Sequence, residues 1–592
     1  MNLSHNNSNT NNDIYTSKTS KTYIFSFIVA GIVIIWTNVY LDLLAPQYLS
    51  DIMTEIHLPN RSMNNIWRWS IYMMTCVFAS MITSIACAIL VGRFSTTVTA
   101  NMRHNVFGKI ISLSPQDLKE FSINSLITRS TNDINQIKSL IAIGFHAIIK
   151  VPILSIWSCY KIRNMDISWL ITIISFILTL LIVVLTVVII VVPKYDKIQA
   201  MVDKLNSVSR DHITGIKVIH AYNAEQYQVN KIKNITEKLT QTEMHTNIAI
   251  GFVPQMVAFM LPTITLAIYW VAKHIINSNP ASTYKTMSDM MIVNLYSIQL
   301  IVAVMMVTFV VMILPKAITS IKRIKEIYNI KPSIVSGISK LGKTMRTNVA
   351  IEFRNASFRY IDKGKNVLNN LNIKIMSGSK IAVIGPTGCG KTSFISLIAR
   401  LYDVQSGQVL VDGMDVKEYN VEDLRNRISF ITQKSKIFSG TIKSNVTFGN
   451  KDVDSIDIDD ILDTANVKSF IKTHDNETAQ NGANFSGGQK QRISIARGLA
   501  RKSEIYIFDD CFSSLDNKTD KIIRSKIDQK LPHDATKIVV TQRITTAMEY
   551  DKIIVLDSGR IASSGRHEDL IRECPVYRRI CESQNISLNN FD

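Results

Sequence analysis

Hydrophobic positions fall into two regimes along the chain. Residues 23–45, 67–92, 140–160, 168–193, 248–272 and 290–314 are long apolar runs. Each approaches the roughly 20 residues that a helix needs to cross a bilayer, so six membrane-spanning helices are predicted. Asp42 and Lys150 sit in or beside the first and third runs. The polar stretches after the second and fourth runs keep a helical rhythm and are too long for simple connectors. They predict helices that leave the bilayer and turn back near Pro115–Asn124 and Arg210–Tyr222. From residue 349 the pattern changes: apolar segments shorten, as at 381–384 and 505–508, and alternate with helical stretches. That rhythm predicts an α/β domain. The predicted organisation is a disordered tail at 1–20, a six-helix membrane domain at 21–332, a linker at 333–348 and an α/β domain at 349–592.

Charge orients the membrane domain. Arg93, Arg103, Lys109, Lys119, Arg129 and Lys138 follow the second run, and Lys194, Lys197, Lys204, Arg210, Lys217, Lys231, Lys233 and Lys238 follow the fourth. Lys316, Lys322, Arg323 and Lys325 follow the sixth. Basic residues concentrate on the cytoplasmic face. Both termini and the α/β domain are therefore expected in the cytoplasm of a multi-pass cell-membrane protein. The net charge of +19 and pI near 9.4 raise nucleic-acid binding as an alternative. The basic residues are dispersed over cytoplasmic extensions and no nucleic-acid motif accompanies them, so no such partner is expected.

Chemistry enters at Gly385-Pro386-Thr387-Gly388-Cys389-Gly390-Lys391-Thr392, followed by Ser393. A predicted strand precedes it, and an apolar helix from Thr392 to about Leu401 follows. This is the context that the G-x-x-x-x-G-K-[ST] phosphate loop requires. Glycines let backbone N–H groups converge on phosphate oxygens, and the helix N-terminus adds positive potential. Lys391 is placed to reach the β- and γ-phosphates of ATP, and the Thr392 hydroxyl to ligate Mg²⁺. Asp509 closes the second strand, where a carboxylate suits Mg²⁺ ligation.

Phe485-Ser486-Gly487-Gly488-Gln489, ahead of a basic helix at Lys490–Lys502, resembles the signature of the ATP-binding cassette (ABC) transporters. Those proteins usually carry Leu where Phe485 stands. Tyr360 matches their adenine-stacking aromatic, and Gln433 their Q-loop, which the resemblance implies joins Thr392 and Asp509 at the metal. Ser513-Ser514-Leu515-Asp516 matches their D-loop. Residues 125–133 and 214–222 resemble the turns that couple the membrane helices to the ATPase. The resemblance runs from about residue 20 to 580 and implies an exporter half-transporter of the type I (type IV) fold. It further implies that Ser486, Gly487, Gly488 and Gln489 serve ATP held by the opposite subunit.

Two departures sharpen this. Competent members carry Glu where this chain has Asp510, and His where it has Gln542. Asp is one methylene short, which withdraws the base from the attacking water. Gln cannot carry the imidazolium charge that steadies a developing γ-phosphate. Together with Ala479-Gln480-Asn481-Gly482, the pattern resembles the degenerate subunit of heterodimeric multidrug exporters. The partner implied is a second, non-identical half-transporter. The rival readings are a homodimeric exporter or lipid flippase using Asp510 as a slow base, and an ATP-gated protein that does not pump.

Met290, Met291, Met305, Met306 and Met312 with Tyr296 and Gln299, and Gln255, Met256, Phe259 and Met260, suit an adaptable pocket for hydrophobic or amphipathic small molecules. Lys150 reads as structural, while Asp42 and His146 either face the cavity or sit at a helix interface. Seven cysteines without a C-x-x-C pair predict reduced thiols, with neither zinc nor disulfides. Cys389, beside Lys391 at a helix N-terminus, is expected to have a lowered pKa and to be covered by bound MgATP, with Cys574 and Cys581 as controls whose labelling rates should change little with ATP. No signal peptide and no extra N-terminal peptidase domain is evident.

Overall fold

The computed structural model describes residues 21–57, 62–163, 165–278, 280, 283–337, 347–360, 364–450, 452–471 and 477–585. The expected tail at 1–20 and most of the 333–348 linker lie outside them. The chain divides into two compact units. One holds the chain up to Ile110 and Phe121–Ile330; the other holds Ile111–Glu120 and everything from Lys331 on.

The first unit is six long helices: α1 (Lys21–His57), α2 (Met63–Ser112), α3 (Asn132–Ile162), α4 (Ile167–Thr214), α5 (Glu225–Ser278) and α6 (Thr283–Asn329). All six have the length and hydropathy to cross a membrane. Each is longer than its apolar run because the flanking polar residues keep helical periodicity, as expected. α2 breaks at Ser112, and a short helix at Ile123–Ser130, capped by the Ser122 side chain, leads back into α3. α4 ends at Gly215; a six-residue helix, Ile216–Ala221, and the left-handed Asn223 turn the chain into α5. Both reversals fall where the sequence placed them.

The buried face of this unit runs through Ile35, Val39, Leu43, Trp169, Ile264, Ile268, Val293 and Tyr296. Its outer face is apolar as well. On α2, Ile71, Met74, Phe78, Met81, Ile82, Ile85 and Ile89 are all exposed. Such a surface is unfavourable in water and neutral against lipid tails.

The second unit contains two sheets. One is antiparallel, in the order β2-β1-β4-β5: β1 (Val349–Phe358), β2 (Leu368–Met376), β4 (Ser406–Val411) and β5 (Met414–Asp415). The other runs β12-β11-β3-β10-β9-β6. Its members are β3 (Lys380–Ile384), β6 (Ile428–Ile431), β9 (Ile505–Asp509), β10 (Thr536–Val540), β11 (Lys552–Asp557) and β12 (Arg560–Gly565). β7 (Gly440–Thr441) and β8 (Glu477–Thr478) form a small ribbon. β11, β3, β10, β9 and β6 are parallel. Every residue of β9 and β10 is buried, as expected for strands covered on both faces.

Candidate functional site

Register builds the site. Val383 of β3 pairs with Val540 of β10, and Val540 with Asp509 of β9; β6 lies beyond β9. The carboxyl ends of these four neighbouring parallel strands therefore release, side by side, the phosphate loop, Asp509-Asp510, Gln542 and Gln433. This crevice is where doubly wound sheets bind ligands.

The phosphate loop leads into helix α7 (Lys391–Ile398), which starts one residue earlier than predicted and stops at Ala399, before left-handed Arg400. Two of its glycines are obligatory. A Cβ on Gly385 would sit 2.1 Å from the Leu556 carbonyl oxygen, and Gly390 has φ +104° with Leu368 Cδ2 2.7 Å from where a Cβ would be. Gly388, at φ +82°, has open space around it. Lys391 is buried and its Nζ donates to the Gly385 carbonyl at 2.7 Å and the Pro386 carbonyl at 2.8 Å. That hold keeps the ammonium inside the loop.

Thr392 Oγ1 donates to Asp509 Oδ1 at 3.2 Å. A hydroxyl and a carboxylate, both hard oxygen donors converging beside the loop, fit Mg²⁺. Burial pushes the Asp509 carboxyl up to about 6; the neighbouring Asp510 carboxylate adds to this, while the Thr392 bond and Lys391 oppose it.

Asp510 is the hub. It is buried, with a left-handed backbone at φ +46°. Its Oδ2 accepts from Gln542 Nε2 at 3.0 Å and from Gln433 Nε2 at 3.2 Å, while its carbonyl accepts from Ser513 Oγ at 2.8 Å. Burial raises its pKa, and the two amide hydrogen bonds work against that rise. Gln433 thus turns its nitrogen to Asp510. All the nucleotide-side residues named from sequence on these strands are brought together.

Tyr360 lies in the same unit. Its hydroxyl is 2.8 Å from Ser393 Oγ, and Tyr402 packs edge-on at 5.1 Å. Lys119, from the turn after α2, stands 5.3 Å over the Tyr360 ring. The same turn is bound to Ser333: Asp117 Oδ2 accepts from Ser333 N at 3.1 Å and from Ser114 N at 2.9 Å. Burial raises the Asp117 carboxyl, but these backbone hydrogen bonds outweigh it and leave the pKa lowered.

The signature segment caps helix α8 (Gly487–Ala500), which begins three residues before the predicted start. Ser486 Oγ accepts from Gln489 N at 3.3 Å, and Gln489 Oε1 accepts from Ser486 N at 2.9 Å. Gln489 is therefore spent on a reciprocal cap. Phe485 is buried, with its ring edge-on to Phe470 at 6.0 Å, which suits an aromatic at this position. A Cβ on Gly488 would lie 3.3 Å from the Ser514 carbonyl oxygen. Among the described residues, no hydrogen bond joins Ser486–Gln489 to the phosphate loop of the same chain.

Two expectations are corrected. Cys389 is 5% exposed, and burial pushes its thiol pKa up despite Lys391 Nζ at 3.8 Å from the sulfur. Cys574 and Cys581 are also buried. Tyr296 and Gln299 serve packing between helices: Tyr296 is fully buried and donates to the Leu43 carbonyl at 3.0 Å, and Gln299 Nε2 donates to the Asp42 carbonyl at 3.3 Å. Lys150 Nζ pairs with Asp42 Oδ2 at 3.1 Å and donates to Asn38 Oδ1 at 2.9 Å; Ser80 donates to the other Asp42 oxygen. This polar knot ties α1, α2 and α3. His146 Nδ1 lies 3.7 Å from Cys87 Sγ.

Comparison with known proteins agrees with this construction. Residues 368–513 match the family model described as ABC transporter, and residues 22–304 match the ABC transporter transmembrane region. An uncharacterized ABC transporter ATP-binding protein of Mycobacterium tuberculosis is 31% identical over 561 residues, covering 92% of this chain and 94% of that protein. The chain belongs to the ABC transporter family. An uncharacterized family member of Bacillus subtilis is 28% identical over 568 residues, covering 94% and 96% of the two chains. The fold matches a bacterial Atm1-family ABC exporter solved with ATP bound, at TM-score 0.79 and 20% identity over 95% of this chain and 99% of that one. One membrane region followed by one ATPase makes this ABC protein a half-transporter, with ATP as its fuel.

Proposed function

We propose that this ABC protein is the degenerate half of an unequal pair that exports hydrophobic or amphipathic small molecules from the cytoplasm. The observation that carries the reading is Asp510 with Gln542 on its carboxylate, at the two positions where the resemblance calls for Glu and His. Burial raises the pKa of the short Asp510 carboxylate, but one of its oxygens is occupied by two amide hydrogen bonds and is not open to take a proton from an attacking water. Gln542 contributes a neutral donor where a cation would stabilise transferring charge.

The binding apparatus is otherwise complete. Tyr360 offers a ring for adenine, the loop from Gly385 to Lys391 backbone N–H groups for phosphates, and Thr392 with Asp509 the oxygens for Mg²⁺. When bound, Mg²⁺ neutralises charge between the β- and γ-phosphates. Gly487 and Gly488 begin an α-helix of 14 residues, and their first-turn N–H groups, with the hydroxyl of the capping Ser486, face outward to cap a γ-phosphate presented by a partner. Hydrolysis then proceeds at the composite site of this signature with the partner's phosphate loop, while this chain's own site retains ATP.

Support for an apolar cargo comes from a membrane-domain cavity of about 440 Å³ lined by Met53, Tyr269, Met287, Met290 and Met291, with Lys273 as its charged member. Flexible thioethers adapt to varied apolar shapes. The direction of transport has its own support: a Rickettsia typhi protein 27% identical over 528 residues is named an export ATP-binding/permease protein. The ATPase of the assembled pair tests the reading. Gly488→Asp, which also crowds the Ser514 carbonyl, should abolish it, and Asp510→Asn should reduce it far less. Equal losses would refute the unequal pair.

A further inference from the structure

The Gln542 loop is held from outside the site by the end of the last helix among the described residues. Helix α9 (Pro575–Ser583) is anchored in the core that also contains Cys511, Val539 and Ile544: Tyr577 and Cys581 are fully buried there, and Tyr577 Oη lies 2.8 Å from His567 Nδ1. Gln584, the residue capping α9, sends its side chain to the loop. Its Nε2 donates to the Gln542 carbonyl at 2.6 Å, and its Oε1 accepts from Ile544 N–H at 2.9 Å. One side-chain amide thus brackets residues 542 and 544 as a neighbouring β-strand would. It fixes the backbone from which the Gln542 side chain reaches Asp510 Oδ2 at 3.0 Å. The intervening Arg543 is fastened separately, Nη1 donating to Asn517 Oδ1 at 2.9 Å.

We infer that Gln584 is a positioning residue for the ATP site, acting through Gln542, so that the C-terminal helix sets the γ-phosphate side of this ATPase. This rests on the reading of Gln542 as a γ-phosphate contact. The physical case is directional. Gln584 is solvent-exposed, and an exposed glutamine gains little by ordering both ends of its amide. Both its partners are backbone groups of the single loop that carries Gln542. Loss of Gln584 leaves the loop's backbone donor and acceptor to water and lets Gln542 drift from Asp510. A displacement of about 1 Å at such a contact is enough to change how nucleotide is held.

The test is a double-mutant cycle on the full-length chain in lipid nanodiscs, reading the release rate of pre-bound radiolabelled MgATP. Gln584→Ala is expected to speed release about three- to tenfold, the size of one lost hydrogen bond. Gln542→Ala should speed it similarly, and the double variant should be no faster than Gln542→Ala alone. Gln584→Glu places a second acceptor against the Gln542 carbonyl and should be at least as fast as Gln584→Ala. Thermal unfolding without nucleotide serves as the structural control and should move little. Three outcomes overturn the inference: effects of the two single variants that add in full, a Gln584→Ala release rate equal to wild type, or a rate change matched by an equal loss of nucleotide-free stability. If Gln542→Ala is itself silent, the reading of the site falls, and this inference with it.

Discussion

Replacing Asp510 with Glu should switch on hydrolysis in this chain's own site. Each chain carries both a phosphate loop and a signature, so two copies restored in this way assemble two complete sites without any other protein. One methylene advances the carboxylate by about 1.3 Å. Misplacement on that scale costs roughly 10²-fold in rate, about 2.7 kcal/mol of barrier. The Gln542 bond adds a second cost, since the oxygen it occupies must be released before taking a proton from water, and hydrogen bonds to charged groups contribute about 1.5–3 kcal/mol. Steady-state ATPase of the purified full-length chain therefore has an expected order: wild type near the Lys391→Ala background, Asp510→Glu about 10²-fold higher, and Asp510→Glu/Gln542→His higher again. MgATP affinity of Asp510→Glu, measured in parallel, should stay within about threefold, because Asp510 does not touch the loop that holds the phosphates. The reasoning is refuted if Asp510→Glu binds MgATP normally and turns over no faster than wild type. It is equally refuted if wild type alone already hydrolyses well above the Lys391→Ala background and Asp510→Asn abolishes that activity.

Three further expectations follow from the geometry. Asp509 must be ionised to ligate Mg²⁺, and its carboxyl, raised to about 6, protonates as pH falls. MgATP affinity should therefore weaken about tenfold between pH 7 and pH 5 relative to Asp509→Asn, and a parallel pH profile for the two proteins would contradict it. The buried, high-pKa Cys389 should react with N-ethylmaleimide far more slowly than partly exposed Cys76, with little change on adding MgATP; rapid labelling that ATP blocks would restore the thiolate expectation. Lys150→Met should lower the melting temperature in detergent, leaving Asp42 without its cation, and Asp42→Asn/Lys150→Met should recover most of the loss. The pair keeps side-chain exposures of 19% and 25%, so the cost should fall below the roughly 3–5 kcal/mol of a fully buried pair.

Period and spacing made most of the architecture legible. Six apolar runs gave six helices, and the persistence of helical rhythm through Arg93–Lys109 correctly carried α2 past the bilayer to Ser112. The phosphate loop was readable because its chemistry demands contiguous residues. Boundaries were less so: α8 starts at Gly487 because Ser486 and Gln489 cap each other, a reciprocal bond that spacing alone suggests but does not guarantee. What sequence left unread depends on contacts distant along the chain. Gln433 and Gln542 are more than a hundred residues apart, and only the parallel order β6-β9-β10 brings both amides to one oxygen of Asp510. Cys389 was misread because motif position speaks of charge and says nothing of burial. Gln584 carries no motif at all; its signal is a polar residue at the end of an amphipathic helix, indistinguishable in sequence from any surface glutamine. Tyr296 and Gln299 were misassigned for a related reason, since a polar group in an apolar run reads alike whether it lines a cavity or binds a neighbouring helix.

The length of the helices has a mechanical consequence. α5 holds 54 residues and, at about 1.5 Å each, extends roughly 80 Å, whereas the hydrocarbon layer is about 30 Å thick. Much of the rod is thus a lever arm outside the membrane. A tilt of about 10° about one end displaces the other by roughly 14 Å, wider than a helix. A small rotation at one end of such a rod is thereby geared up into a large displacement at the other. Pro254 and Pro262 interrupt the backbone ladder of α5 within its apolar stretch, so the rod has built-in points at which that gearing can be bent rather than merely transmitted.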